Sequence, residues 1–350
     1  MIRVAVLGAG IGEQHLQAYA ALPEKFTVRL LVDRDSARAK PLADTYNVET
    51  TTDIATALGD PHIDLIDICL PPKLHATVTL QALSAGKHVI CEKPLATSLA
   101  QIDEIRTAAW QSGKSVFPVF QYRWGPALAQ LRALMAAGAT GRPLAASIET
   151  HWARGADYYA NGWRGSWAVE QGGAVLCHAI HAHDLLTETM GPVADVSARI
   201  DTRVNDIETE DTAAILMRME NGALATSSVC LGAGQDETRL RFLFQHLTAT
   251  SGTAPYTPGT DHWQFTARDP QRQASVNAIL NETPPEPSGF TGFLSQVADA
   301  IAGQRHRAVS LEAGAASIAL VTAIYHAART GETVSLLFGT DHPLYSGWQP

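Results

Sequence analysis

Ile2-Arg3-Val4-Ala5-Val6-Leu7-Gly8-Ala9-Gly10-Ile11-Gly12 opens the chain with a short apolar run that breaks into three closely spaced glycines. The run has the length and uniform apolarity of a strand buried on both faces. A helix is expected next, from Glu13 to Leu22. Gly8 suits the tight turn and Gly10 lets backbone approach a pyrophosphate. The helix N–H groups and positive dipole end that follow Ile11 and Gly12 would receive the anion. A regular G-x-G-x-x-G would put its third glycine at Glu13, so this loop is one residue tighter than the standard fingerprint. The competing reading is an ordinary glycine-rich turn.

A second strand, Val28-Arg29-Leu30-Leu31-Val32, ends in Asp33. A carboxylate at that distance accepts hydrogen bonds from the adenosine ribose and repels a 2′-phosphate, which favours NAD. Arg34 beside it could pair with such a phosphate, so NADP is the alternative, and Asp33-Arg34-Asp35-Ser36 also reads as a solvated turn and helix cap. Further on, the apolar run His88-Val89-Ile90-Cys91 ends in Glu92-Lys93-Pro94. In an open parallel sheet ligands bind outside the carboxyl ends of the strands, which would put Lys93 near the reacting end of the nucleotide.

The 350 residues suggest two domains, and 46% hydrophobic with 17% charged residues is enough for two cores. No apolar stretch approaches the roughly 20 residues of a membrane span, and no signal peptide precedes the first strand, so a cytoplasmic protein without a membrane partner is expected. Cys69, Cys91, Cys177 and Cys230 lack C-x-x-C pairing, which suggests neither a zinc site nor a disulfide framework. A net charge of −9 argues against nucleic acid as a partner.

Strands and helices alternate to about residue 120: Asp64 to Leu70 as a strand, Leu74 to Ala85 and Ser98 to Gln111 as helices, Ser115 to Phe120 as a strand. This is an α/β fold, a doubly wound Rossmann sheet, expected over residues 1–122. After Gly141 the texture changes to strand-like runs at Leu144–His151, Val193–Thr202, Thr212–Glu220, Ala223–Leu231 and Thr238–Leu247. Asn221-Gly222 signals a hairpin between two of them. Residues 123–350 therefore read as an α+β domain for substrate binding and oligomerisation, with Thr253–Pro287 as a surface excursion and a last helix over Leu311–Thr330.

The chain resembles the Gfo/Idh/MocA family, the glucose-fructose oxidoreductase and inositol dehydrogenase group. The resemblance rests on the opening loop through His15, Asp33-Arg34, Leu70-Pro71-Pro72-Lys73-Leu74-His75, the run from Ala85-Gly86-Lys87-His88 to Glu92-Lys93-Pro94, and Gly172-Gly173 followed by His181-Ala182-His183-Asp184. It implies a dinucleotide domain followed by an open-sheet domain whose face makes homodimers or homotetramers, and NAD(P)-dependent chemistry on sugars, cyclitols and related polyols. It also implies Lys93 as the lysine that contacts nicotinamide ribose and substrate hydroxyl, and His181 as the acid/base. Leu70, Pro71, His75, Glu92 and Gln121 fall at cofactor-binding positions. Where the family commonly carries Asp, four residues before His181, this chain has Cys177, followed by His178.

The chemistry asks for a hydride acceptor, one base near neutrality and one cation beside the developing oxyanion. His181 and Lys93 supply the last two. Cys177 would share a helical face with His181 at i and i+4 and shape the substrate pocket, or else simply pack. His178, His181 and His183 invite a metal reading, but His183 is displaced from the face the first two share, and no metal is expected. Trp163, Arg164 and Trp167 could wall a sugar-like substrate or grip a carboxylate, with loop packing as the alternative. His151, Trp152 and Arg154 are weaker candidates of the same kind. Asp157 and Asp184 could orient hydroxyls, Asp184 alternatively holding His181. The expected function is an NAD-dependent oxidoreductase acting on a small sugar- or polyol-like molecule. Its rivals are a glycosidase that retains NAD and a non-catalytic cofactor-binding regulator.

Overall fold

Apolar residues from Val4 to Leu7 place β1 (Ile2–Leu7) at the centre of a parallel sheet, paired on one side with β2 (Phe26–Val32). Val4 to Leu7 are fully buried. The computed structural model describes residues 1–160 and 162–350. Helix α1 (Gly12–Ala20) joins β1 to β2, and α2 (Ser36–Tyr46) leads to β3 (Glu49–Thr51). Then follow α3 (Ile54–Gly59), β4 (Leu65–Ile68), α4 (Pro72–Ser84), β5 (His88–Cys91), α5 (Leu99–Ser112) and β6 (Val116–Pro118). Ser98 caps α5 by accepting from the Gln101 N–H at 3.2 Å. The strand order is β3-β2-β1-β4-β5-β6. Chain order reverses at β1, so the crevice at its carboxyl end lies between the β1 and β4 exits, where such sheets bind ligands.

The second half starts with α6 (Pro126–Ala136), β7 (Pro143–Ala153), the single turn α7 (Ala156–Tyr159), a π-turn over Val175–Ala179 and α8 (Ile180–Met190). Next come β8 (Val193–Asp201), β9 (Thr212–Met219), β10 (Leu224–Cys230), β11 (Gly232–Phe244), β12 (Leu247–Thr250) and β13 (Gln264–Ala267), and then α9 (Gln273–Glu282). Eight strands order as β13-β12-β11-β7-β10-β9-β8 with the short strand at Val334–Ser335 on the edge. All these pairings are antiparallel except β7 with β10. In β7, Ala146, Ile148, Thr150 and Trp152 turn inward while Ser147, Glu149 and His151 face out, the period of two that a sheet with one covered face imposes. The Asn221-Gly222 hairpin forms as expected: Gly222 takes φ +86°, and the Asn221 side chain accepts from the Ala223 N–H at 3.0 Å.

The structure redraws three expectations. Thr253–Pro287 is no mere excursion, because β13 extends the sheet and α9 follows it. Trp263, Phe265 and Ala267 alternate into the core, a strand signal hidden by the surrounding Pro, Gly, Thr and Asp. The chain also divides into two units in more than one place: residues 1–120 with 290–318, and 121–289 with 319–350, so a single boundary at 122/123 does not describe it. Residues 290–318 join the first unit through α10 (Gly289–Ile301) and the start of α11 (Leu311–Thr330). There Lys25 Nζ donates to Asp299 and to Ser295 Oγ, both at 2.8 Å, and Arg106 grips Glu312. Gly314 passes so close to Pro118 that a Cβ would come within 2.6 Å of its ring. Finally, α11 is long and apolar enough to cross a membrane by length and composition, against the reading that no such stretch exists. With 56% of that window buried, including Ile318, Ile324 and Tyr325, the helix is accounted for as a core element.

Candidate functional site

Each glycine of the first loop has a distinct steric reason. Gly8 takes φ +106°, and a Cβ there would lie 2.3 Å from the Cys69 carbonyl oxygen. Gly10 has open space where a Cβ would go, the clearance a pyrophosphate needs. Gly12 presses α1 onto the sheet, a Cβ there falling 3.1 Å from Val6 Cγ1, so it does one residue early what the third glycine normally does. Ile11, at the helix N-cap, makes no side-chain cap, so no capping side chain stands over the positive dipole end of α1. Asp33 is buried at the end of β2 and accepts from the Ala9 N–H at 2.8 Å and the Asp35 N–H at 2.9 Å, which ties the ribose-binding position to the loop. The residues present therefore fit a dinucleotide. Arg34 is exposed, and it is Arg38, unforeseen in the sequence, whose guanidinium lies 3.9 Å from Asp33. One turn along α2 brings it back over the strand end.

Asp33→Ala should weaken NAD binding and erase the preference for NAD over NADP, because ribose acceptor, phosphate repulsion and loop tether disappear together, and Arg38 loses its carboxylate. Titration of both nucleotides into the two proteins checks this. Tighter NADP than NAD binding by the unmodified protein would contradict it.

At the carboxyl end of β5, Lys93 is fixed from both sides. Its backbone N–H donates to Glu92 Oε2 at 3.1 Å. The Pro94 carbonyl meets His75 Nδ1 at 2.6 Å, while His75 Nε2 lies 2.6 Å from the Leu70 carbonyl. Burial lowers the His75 pKa, although both carbonyls pull toward the protonated ring. With both ring nitrogens taken up by backbone, His75 braces the β4 and β5 exits, where the resemblance implied a cofactor contact. Pro71 stands as N-cap of α4 next to Leu70. Behind Glu92 lies a buried cluster the sequence did not reveal: His15, Asp67, Cys69 and Tyr19. His15, Asp67 and Cys69 have metal-ligand chemistry within 4.8 Å. However, His15 Nδ1 and Asp67 are already 2.8 Å apart in a hydrogen bond, and burial lifts the Cys69 thiol to about 12, so the set is paired internally.

In the second unit His181 lies in the first turn of α8, stacked on Tyr122 with ring centroids 4.5 Å apart and planes 19° from parallel. Tyr122 is held by a 2.7 Å bond to the Pro255 carbonyl. The segment leading to His181 hangs on Glu210, a residue that stands in no recognisable motif. Its carboxylate accepts from Gly173 N–H at 3.2 Å, Val175 N–H at 3.0 Å and Tyr325 OH at 2.9 Å, and its own carbonyl accepts from Ala174 N–H at 2.8 Å. Gly173 is obligatory here, since a Cβ would sit 1.9 Å from the Glu210 carbonyl oxygen. Cys177 falls in the π-turn, outside the α-helix proper, so the simple i, i+4 relation to His181 does not hold. Its thiol is 3.6 Å from the Gly172 carbonyl.

The same change of phase separates the histidines. His178 Nε2 is 3.0 Å from Tyr158 OH and its ring meets the Trp152 edge at 5.3 Å, His181 stacks on Tyr122, and His183 pairs with Ser227 Oγ at 2.9 Å. Burial pushes His183 down to about 4, a core histidine. The Asp184 carboxylate binds Arg123 through two 2.7 Å bonds, and Asp157 is exposed on α7. Trp163, Arg164 and Tyr158 form one stack, with the Arg164 guanidinium 4.3 Å from the Trp163 ring and 4.2 Å from that of Tyr158. Arg164 also reaches Glu170 at 3.4 Å. Trp167 stands apart, donating to the Glu208 carbonyl at 2.9 Å. Arg154 joins the stack's other side, 5.0 Å from Tyr158 and 4.9 Å from Trp152, with Asp236 and Tyr256 as partners. His151 does not belong with them: it points to the outer face of β7 and bonds Ser228 at 2.9 Å. Gln121 keeps a buried Oε1 with no hydrogen-bond partner among the described residues, an acceptor available to a ligand.

Residues 2–120 match the family described as an oxidoreductase family with NAD-binding Rossmann fold, and residues 128–250 match the GFO/IDH/MocA C-terminal domain. The chain is similar to the uncharacterized oxidoreductase YrbE of Bacillus subtilis, 31% identical over 64% of this chain and 65% of that protein. It is also similar to levoglucosan dehydrogenase of Pseudarthrobacter phenanthrenivorans, 29% identical over 57% of this chain and 54% of that protein. The chain thus spans less than two thirds of the length of these curated relatives. Among solved structures, the WlbA dehydrogenase of Bordetella pertussis in complex with NADH and UDP-GlcNAcA superposes with TM-score 0.84 at 25% identity, covering 97% of this chain and 98% of that one.

Proposed function

Because the chain belongs to the GFO/IDH/MocA family of oxidoreductases, we propose that it is an NAD-dependent dehydrogenase or reductase acting on a secondary alcohol or ketone of a sugar, cyclitol or sugar derivative. The observation that carries this reading is Lys93, braced through Glu92 and Pro94 at the carboxyl edge of the sheet whose first loop is shaped for a pyrophosphate. The substrate class is supported by a relative named for levoglucosan and by the UDP-GlcNAcA in the WlbA complex. Bound nicotinamide supplies the hydride acceptor or donor. In the oxidative direction His181 takes the hydroxyl proton on a ring nitrogen and the Lys93 ammonium stabilises the developing oxyanion. Trp163, Arg164 and Tyr158 offer a flat wall for a sugar ring, and the Gln121 carbonyl accepts from a ligand donor. Incubation of a panel of polyols, aldoses and nucleotide sugars with NAD or NADP, read by the absorbance of reduced nicotinamide, tests the reading. No reduction by any of them, with NAD shown to bind, would overturn it.

Cys177→Ser should retain most of the turnover. The thiol lies 3.6 Å from the Gly172 carbonyl, a weak bond that a hydroxyl replaces. A turnover loss like that of a Lys93 variant would show a chemical role for the sulfur. We also propose a homodimer or homotetramer, supported by Leu216 and Leu224 lying exposed on the open sheet, and a cytoplasmic location, supported by four cysteines of which none forms a disulfide among the described residues.

A further inference from the structure

We propose that His15 is a positioning residue that clamps the Glu92 carboxylate and thereby fixes Lys93. The ring sits fully buried between two carboxylates, with Nδ1 2.8 Å from Asp67 Oδ2 and Nε2 3.2 Å from Glu92 Oε1. A neutral imidazole has one N–H and one lone pair. Between two acceptor-only carboxylates it would set that lone pair against an oxygen anion, whereas an imidazolium donates to both. Desolvation, the largest single influence, works against the charge, but Asp67 and Cys69 together hold the pKa well above the ordinary histidine value.

The other groups around the ring do not compete. Tyr19 OH donates to Asp67 at 2.9 Å, the Cys69 thiol stays protonated and leans on Asp67 at 3.6 Å, and Phe290 from α10 covers the ring at 4.6 Å. The chain of bonds runs Asp67, His15, Glu92, then the Lys93 backbone N–H at 3.1 Å. The first two links are buried and the last is partly buried, so a lysine at the strand end inherits its placement from a core charge pair 52 residues apart in sequence. Without His15, two carboxylates would share one pocket, and Glu92 would protonate or turn away, releasing Lys93.

The inference rests on the role proposed for Lys93, and its test separates the two. Nitrogen-15 spectra of the unmodified protein should show His15 as an imidazolium between about pH 6 and 8. Neutral-imidazole shifts there would overturn the inference whatever the enzyme's substrate. His15→Gln, which removes the charge and keeps a polar side chain, should lower kcat on the order of tenfold to a hundredfold, with KM and the Kd for NAD within about threefold. Tyr19→Phe removes a neutral donor from the same Asp67, leaves the His15 to Glu92 bond intact, and should keep kcat near that of the unmodified protein. Equal kcat losses in both variants, or full turnover in His15→Gln, would overturn the positioning role while leaving the dehydrogenase reading in place.

Discussion

Lys93→Ala and His181→Ala are each expected to lower turnover by about a hundredfold or more while leaving NAD binding close to that of the unmodified protein. The magnitude follows from what each side chain supplies. Removing a cation from a developing oxyanion, or the base from a proton transfer, costs roughly 3 kcal/mol of transition-state stabilisation. Neither change touches the glycine loop or Asp33, the residues proposed to hold the nucleotide. The two variants should differ in pH response. If His181 is the base, its loss flattens the acid limb of the kcat profile, and added imidazole restores part of the rate. Lys93→Arg keeps a cation but not a compact one, and should recover only a fraction of turnover. Near-normal turnover in either folded alanine variant would remove that residue from the mechanism.

How much of this was legible in the chain depends on how local each cause is. The first strand, the glycine turn and the acid ending the second strand are decided within a few residues by sterics and apolarity, and they stand where the sequence put them. The hairpin at Asn221-Gly222 and the helix Leu311–Thr330 were legible for the same reason. What escaped depends on partners far along the chain. Asp184 reads as a candidate beside His181 until Arg123, 61 residues away, claims it. His15 is only a motif position until Asp67 and Glu92 close on it, and Glu210 is one acid among many until the amides of Gly173 and Val175 converge on it. Cys177 and His178 were placed by assuming α-helical phase through a segment that widens to a π-turn. Regular periodicity cannot announce its own interruption. The stack of Arg164 between Trp163 and Tyr158 was half visible as composition, but the second arginine on the same tyrosine, Arg154, comes just after β7, whose alternation also sent His151 to the other face.

Glu210 carries a stability prediction of comparable size. Its carboxyl is fully buried, and burial lifts its pKa to about 7 against the pull of the Val175 and Gly173 amides and the Tyr325 hydroxyl. A carboxyl whose folded pKa is raised above its unfolded value of 4.5 favours the fold in its protonated form. That contribution is fully present below about pH 4.5 and is lost as the pH rises to about 7, a change of roughly 3 kcal/mol for a shift of this size. Glu210→Gln keeps the shape and removes the titration, so the stability of the unmodified protein relative to this variant should shrink by about that amount between pH 4 and pH 8. Denaturant unfolding of both proteins across that range measures it. A gap that widens with pH would mean that the converging donors prefer the anion and outweigh desolvation. The site feels the outcome through Gly173 and Val175, whose amides start the segment that delivers Cys177 and His181. A weakened Glu210 clamp should therefore loosen the placement of His181 at alkaline pH before the rest of the unit unfolds, which would appear as a fall in turnover preceding the main melting transition.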